Sequence, residues 1–267
     1  MKDAKEIVKE KYGQIAGQSL PAGSPSGCGP SCYGEGVDYT IFSENYKNLN
    51  GYDPDADLVL GCGIPTAFAA IKAGDTVVDL GSGAGNDCFV ARALTGETGR
   101  VIGIDMTEPM IEKAGNNLKK LGYSNVEFRL GDIEDMPVTS DSTDVVISNC
   151  VLNLVPDKRK AFSEIFRILK PGGHLSVSDI VLRGELPEKI RLAAEMYAGC
   201  VSGAIEIEEY LRLIMQAGLA NSLIQKEKHI IIPDEIMLKY LNSSELNDFR
   251  KSGTGIYSIT VYAEKPY

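Results

Sequence analysis

The sequence predicts an α/β fold in which a mostly parallel, seven-stranded sheet carries helices on both faces. Three observations lead there. Short apolar runs alternate with helical stretches from Thr76 onward, a glycine-rich turn follows the first run, and two late apolar runs, Leu223 to Ile232 and Ile256 to Ala263, suit closing strands of the same sheet. With 267 residues and 43% hydrophobic content, the chain can bury one large core.

Thr76-Val77-Val78-Asp79-Leu80 reads as a short buried strand, followed by the glycine turn and a helix through Phe89 to Leu94. Arg100 to Asp105 is a second strand, and Thr107 to Leu121 a helix with Thr107 as its N-cap. Val126 to Leu130 and Thr143 to Asn149 continue the strands; a helix from Asp157 to Leu169, a Pro171-Gly172-Gly173 turn and a strand from His174 to Val181 follow. Helices are expected around Pro187 to Gly199 and Glu206 to Ala217. Before all of these, residues 1–50 read as a helix plus a mobile arm, because Gly17 to Gly36 is rich in Gly, Pro and Ser.

Charge and hydropathy exclude several roles. A net charge of -10 opposes a phosphate backbone, so no nucleic-acid partner is expected. The N-terminus is charged and lacks an apolar leader core, and no run of membrane-spanning length occurs, so a cytoplasmic protein without a membrane partner is expected, as a monomer. In a reducing compartment the six cysteines point to ligation or catalysis rather than a structural disulfide framework.

The turn reads Asp79-Leu80-Gly81-Ser82-Gly83-Ala84-Gly85-Asn86-Asp87. Its glycines let the backbone turn sharply and approach a ligand at the start of the next helix. A dinucleotide fingerprint would need a third glycine where Asn86 stands. The Gly81-x-Gly83-x-Gly85 spacing after Asp79 instead resembles the first motif of class I S-adenosylmethionine-dependent methyltransferases, which implies a Rossmann-like sheet. Asp105, at the end of the second strand, suits ribose hydroxyls; Met106 follows it, and Asp132-Ile133 after the third strand lies where that family meets the adenine.

Cys62, Cys150 and Cys200 are too far apart in sequence for a local loop site, so only the fold can bring them together. Cys150 ends the fourth strand beside Asn149, and ligands of open α/β sheets bind beyond such strand ends. Any single buried cysteine is more often inert packing. Taken together, Gly61-Cys62-Gly63, Asn86-Asp87-Cys88-Phe89-Val90, Gly103-Ile104-Asp105-Met106-Thr107, Ser148-Asn149-Cys150-Val151-Leu152-Asn153-Leu154-Val155-Pro156-Asp157-Lys158 and Tyr197-Ala198-Gly199-Cys200-Val201-Ser202-Gly203-Ala204 resemble the signatures of arsenite methyltransferases. That resemblance spans about residues 28 to 263.

The resemblance implies that Cys62, Cys150 and Cys200 hold As(III) as three thiolates, with S-adenosylmethionine held by Asp79, Gly81, Ser82, Gly83, Gly85, Asp87, Asp105, Met106, Asp132, Ile133 and Asn149. It also implies a fourth catalytic cysteine, Cys32, forming a disulfide with Cys62 during turnover, and thioredoxin or glutathione restoring the thiols. Arsenite or its thiol conjugates would be the substrate. Residues 51–267 would form the methyltransferase domain, with a cofactor core at about 72–182 and arsenic-site helices and closing strands at about 183–267. Three readings stay open for Cys28, namely assisting thiol exchange, binding arsenic during delivery, or no role; Cys88 reads as helix packing, as His174 and His229 read as packing rather than as a general base. Leu60 stands where some relatives carry a tyrosine over the bound ion, and the chain is expected to lack the C-terminal extension of several larger relatives. Two alternatives stay open: a protein that sequesters or senses a soft metal, and a methyltransferase for a small organic acceptor. Zinc fits poorly, since no Cys-x-x-Cys or His pair occurs.

Overall fold

The computed structural model describes residues 4–17, 43–191, 201 and 203–267. Cys28, Cys32 and Cys200, and most of the helix expected from Pro187 to Gly199, lie outside the described residues.

The sheet has seven strands in the order β3-β2-β1-β4-β5-β7-β6. They are β1 Thr76–Leu80, β2 Arg100–Asp105, β3 Val126–Leu130, β4 Thr143–Asn149, β5 Leu169–Arg183, β6 Ala220–Ile230 and β7 Gly255–Glu264. The first five run parallel, and β7 inserts antiparallel between β5 and β6. The helices are α1 Ala4–Gly17, α2 Asn86–Thr95, α3 Glu108–Leu121, α4 Lys158–Ile168, α5 Ile207–Gln216, α6 Asp234–Met237 and α7 Ser243–Lys251. Two helices, α6 and α7, fill the span between the closing strands.

Central strands read as nearly unbroken apolar runs because both their faces are covered. Val77, Val78 and Leu80 of β1 are fully buried, as are Val145, Val146 and Ile147 of β4. On one face α4 buries Ala161, Phe162, Ile165 and Ile168. Phe162 meets Tyr210 of α5 edge-on with ring centres 5.4 Å apart. Burying a side chain of that size contributes about 1.5–3 kcal/mol, which makes this packing a main tie between α4 and α5. On the other face Phe89 of α2 packs against Tyr123 and Phe128.

Local chemistry explains where the elements stop and where expectation missed. Asp157 caps α4 by accepting the Lys160 N–H at 3.0 Å. Thr107 stands at the N-cap of α3, but its side chain makes no capping bond there; its N–H goes to Asp105 Oδ1 instead. The Pro171-Gly172-Gly173 turn is a kink inside β5, with Gly172 at φ +79° and the pairing with β4 shifting register at that point.

Register lines up the carboxyl ends of the central strands. Leu80 pairs with Ile104 of β2 on one side and Ser148 of β4 on the other. Strand order reverses between β1 and β4, the switch point where open α/β sheets bind ligands. The glycine turn, Asp105 and Asn149 therefore emerge along one edge.

Candidate active site

A cleft opens at that edge. Asp79, Gly81, Ser82, Gly83, Asp87, Asp105, Met106, Asp132, Ile133, Asn149 and Cys150 all line it. Gly85 does not; a Cβ there would stand 2.8 Å from the Phe128 ring and 2.9 Å from that of Phe89, so this glycine lets α2 close onto aromatic packing. Gly81, at φ +67°, would meet Val151 at 2.4 Å if it carried a Cβ. Gly83, at φ +51°, has nothing within 4 Å of such a Cβ and faces open space.

Two buried side-chain oxygens in this wall, Ser82 Oγ and Asn86 Oδ1, have no hydrogen-bond partner. Unsatisfied buried polar atoms are costly, so their presence beside a glycine turn fits a polar ligand in the cleft. Asp105 is already aimed: Oδ2 accepts the Gly83 N–H at 3.1 Å and Oδ1 the Thr107 N–H at 2.8 Å. Burial raises its pKa, and these bonds oppose the rise. Asp79 is buried more deeply, and burial followed by the charge of Asp87 raises its pKa well above the ordinary carboxylate value. The Cys88 thiol lies 3.2 Å from Asp79 Oδ2 and is itself kept protonated by burial, so it serves as donor. Cys88 thus packs, as expected, and also contacts a pocket carboxylate.

Asp132 meets Lys5 of α1 at 2.6 Å, and Lys5 also reaches Glu134 at 2.8 Å. Burial works against ionisation of Asp132, but the Lys5 bond and charge bring its pKa below the usual value. Lys5, Val8 and Tyr12 belong to the cleft wall, so α1 covers the adenine end of the expected cofactor site.

Two of the thiols lie on the far side of the turn. Cys62 and Cys150 share a buried cluster with Ile180, Ile190 and Val201. Cys150 lines the cleft, whereas Cys62 lies behind it. Gly203 packs so tightly on the loop after Cys150 that a Cβ would stand 1.8 Å from the Asn153 carbonyl oxygen. Among the described residues no three His, Cys, Asp or Glu side chains converge as a metal cluster. Cys150 has φ +61°, unusual for a residue with a side chain. Beneath its loop lies Asp179, which burial pushes up to about 7 against hydrogen bonds from the Ile180 N–H and the Tyr210 hydroxyl, the latter at 3.0 Å.

Asn149 joins the thiol loop to the cofactor side. Its Oδ1 accepts the Cys62 N–H at 2.9 Å and the Gly63 N–H at 3.2 Å. Its Nδ2 faces Tyr46 Oη at 2.9 Å, the Gly63 carbonyl at 2.9 Å and Asp87 Oδ2 at 3.0 Å. Burial pushes Asp87 up to about 6, against the bonds from Asn149 and Tyr46. Sequence reasoning missed Tyr46, Lys5, Asn86, Asp179 and Tyr210. Two of them carried a readable signal: Asn86, within the glycine turn, and Asp179, an acid within the apolar strand His174 to Val181.

His174 Nε2 lies 2.6 Å from the Ala69 carbonyl and its ring packs on Tyr262, while His229 stacks on Tyr257. Both histidines have structural partners away from the cleft.

Comparison with known proteins agrees with this geometry. A methyltransferase domain family matches residues 71–218. The arsenite methyltransferase of Halobacterium salinarum is 38% identical over 99% of this chain and 67% of its own length. The human arsenite methyltransferase is 37% identical over 67% of this chain and 52% of its own, so the chain spans about half of that relative. The crystal structure of an arsenic(III) S-adenosylmethionine methyltransferase from Chlamydomonas reinhardtii superposes with a TM-score of 0.64 at 36% identity, covering 77% of this chain and 68% of that one. With its sheet order, glycine turn and thiol-bearing strand end, the chain belongs to the arsenite methyltransferase family, enzymes built on the class I fold whose cofactor is S-adenosylmethionine.

Proposed function

We propose that this chain methylates trivalent arsenic held by Cys62, Cys150 and Cys200. The observation that carries this reading is the position of Cys150, at the end of β4 in the wall of the cofactor cleft, with Cys62 in the same buried cluster. Val201, the neighbour of Cys200, belongs to that cluster too, which supports a third thiol from the same side.

Three soft thiolates suit pyramidal arsenic and leave its lone pair uncovered. As arsenite binds, each thiol proton departs with one of its hydroxides as water, so charge balances without a protein base. The lone pair is the nucleophile and carries no proton, consistent with two histidines that serve packing. When bound, S-adenosylmethionine supplies an electrophilic methyl group on a sulfonium. Gly81 and Gly83 would admit its methionine end to the backbone, Asp105 would meet the ribose, and Ser82 and Asn86 offer the open polar atoms. Positioning is the main contribution of the chain, and oriented reactions of this kind gain about 7–11 kcal/mol.

Methylation formally raises arsenic to the pentavalent state. Oxidation of the Cys32 and Cys62 thiols to a disulfide would supply the two electrons that return it to the trivalent state, and thioredoxin or glutathione would then reduce the disulfide.

Purified chain incubated with S-adenosylmethionine, As(III) and a thiol reductant is expected to form methylated arsenic, separated by chromatography and measured by elemental mass spectrometry. Cys150→Ser and Cys200→Ser should each reduce the rate at least about 100-fold, as loss of a substrate ligand does when positioning dominates. Wild-type rates in either variant would remove the three-thiolate site, and tight arsenite binding without any product would favour sequestration instead.

A further inference from the structure

Gly61-Cys62-Gly63 is pressed against its neighbours. A Cβ on Gly61 would stand 2.4 Å from Asn149 Nδ2, and one on Gly63 2.4 Å from Ser178 Oγ. The Cys62 carbonyl accepts the Ser258 hydroxyl at 2.7 Å, so every backbone polar group from the Cys62 N–H to the Gly63 carbonyl has a side-chain partner.

At the centre of this hold lies Tyr46, only 4% exposed. Its hydroxyl stands 2.9 Å from the Gly63 carbonyl and 2.8 Å from Asp87 Oδ1, and faces Asn149 Nδ2. An amide offers two hydrogens and a phenol one. Those hydrogens must serve the Gly63 carbonyl and both oxygens of Asp87, so losing either donor, the Tyr46 hydroxyl or the Asn149 amide, leaves a buried acceptor unserved.

We propose that Tyr46 is a positioning residue for the Cys62 thiol, its hydroxyl acting with Asn149 and Asp87 as a clamp that fixes the 61–63 backbone against the first turn of the cofactor helix α2. The proposal rests on the reading of Cys62 as an arsenic ligand. It explains why a thiol that lies behind the cleft wall is tied to residues that line it. It also implies that arsenic affinity depends on a hydroxyl that touches neither arsenic nor the reacting methyl.

The test uses the whole chain. Native-state alkylation with iodoacetamide, resolved by peptide mass spectrometry, gives separate rates for Cys62 and for Cys88, which is equally buried but bonds Asp79 rather than the 61–63 backbone. Tyr46→Phe keeps the ring and removes only the hydroxyl. It should raise the Cys62 rate roughly fivefold to tenfold, the factor one buried hydrogen bond contributes, and change the Cys88 rate less than about twofold. An unchanged Cys62 rate, or parallel rises at both thiols, would overturn the clamp.

Asn149→Asp keeps an acceptor for the Cys62 and Gly63 N–H groups but removes both amide hydrogens, which serve the Gly63 carbonyl and Asp87, and the same selective rise is expected; its absence counts against the clamp even if Tyr46→Phe fails to fold. Arsenite binding by equilibrium dialysis should weaken by a similar factor in Tyr46→Phe. Cys62→Ser separates the two failures. Wild-type arsenite affinity in that variant would overturn the ligand reading beneath the proposal, whereas a selective alkylation result judges the clamp by itself.

Discussion

Cys150 carries its thiol on backbone that residues with a Cβ seldom adopt. The turn sends the chain from β4 into the 3-10 turn Leu152–Leu154 while its N–H still reaches the Ser178 carbonyl at 2.8 Å. Strain of this kind persists where the surroundings over-determine it, and here Gly203 closes over the loop from outside. Removing the side chain should separate strain from chemistry. Cys150→Gly and Cys150→Ala are both expected to be inactive, but the glycine variant should be the more stable by about 1 kcal/mol in urea unfolding, because only glycine relaxes fully at positive φ. Equal midpoints would mean that the loop, not the residue, sets that backbone. Cys150 itself was legible in the sequence, since a cysteine at the end of a predicted strand needs no tertiary information. Tyr46 was not, because its three partners lie in segments far from it along the chain and no local pattern marks a hydroxyl for that purpose.

Helix α1 shows how an element outside the sheet becomes part of the site. Gly13 packs near Thr107 and Pro109, and Lys5 bridges Asp132 and Glu134, so the helix lies across the cleft. Partly exposed ion pairs contribute little each and are screened by salt. Lys5→Ala should therefore speed release of S-adenosylhomocysteine a few-fold, and wild-type release should quicken as salt rises, both read by stopped-flow displacement. A salt-independent rate, equal in the two proteins, would show that the helix does not cover the ligand. The strands were legible because β1 and β4 centre on buried apolar runs, Val77-Val78 and Val145-Val146-Ile147. The N-terminal helix was expected as a helix, but its place over the cleft was not, since its hold depends on two acids more than a hundred residues away. Thr107 held its expected place at the start of its helix, and an element end shifted where a glycine kinked a strand without ending it, as at Gly172.

Across the whole molecule, buried acids give the fold a pH dependence. Burial pushes Asp87 to about 6 and Asp179 to about 7. A carboxyl whose folded value lies above its unfolded one binds its proton more tightly when folded. Its contribution is intact below about pH 4 and is lost as pH rises through the folded value. Asp132 and Glu164, held low by Lys5 and Arg167, are ionised throughout that window and offset nothing. Each pKa unit is worth about 1.4 kcal/mol, so the ligand-free chain should melt higher at pH 5 than at pH 8, with Asp179→Asn flattening the slope in circular dichroism melts. A Tm that rises over this range would contradict the assignment. The bond from Ser258 to Cys62 has a different consequence. During synthesis, the hold on the loop of Cys62 cannot be complete until β7 is made, almost two hundred residues later. The earliest thiol of the proposed trio thus gets its last backbone partner from a residue 196 positions further along the chain.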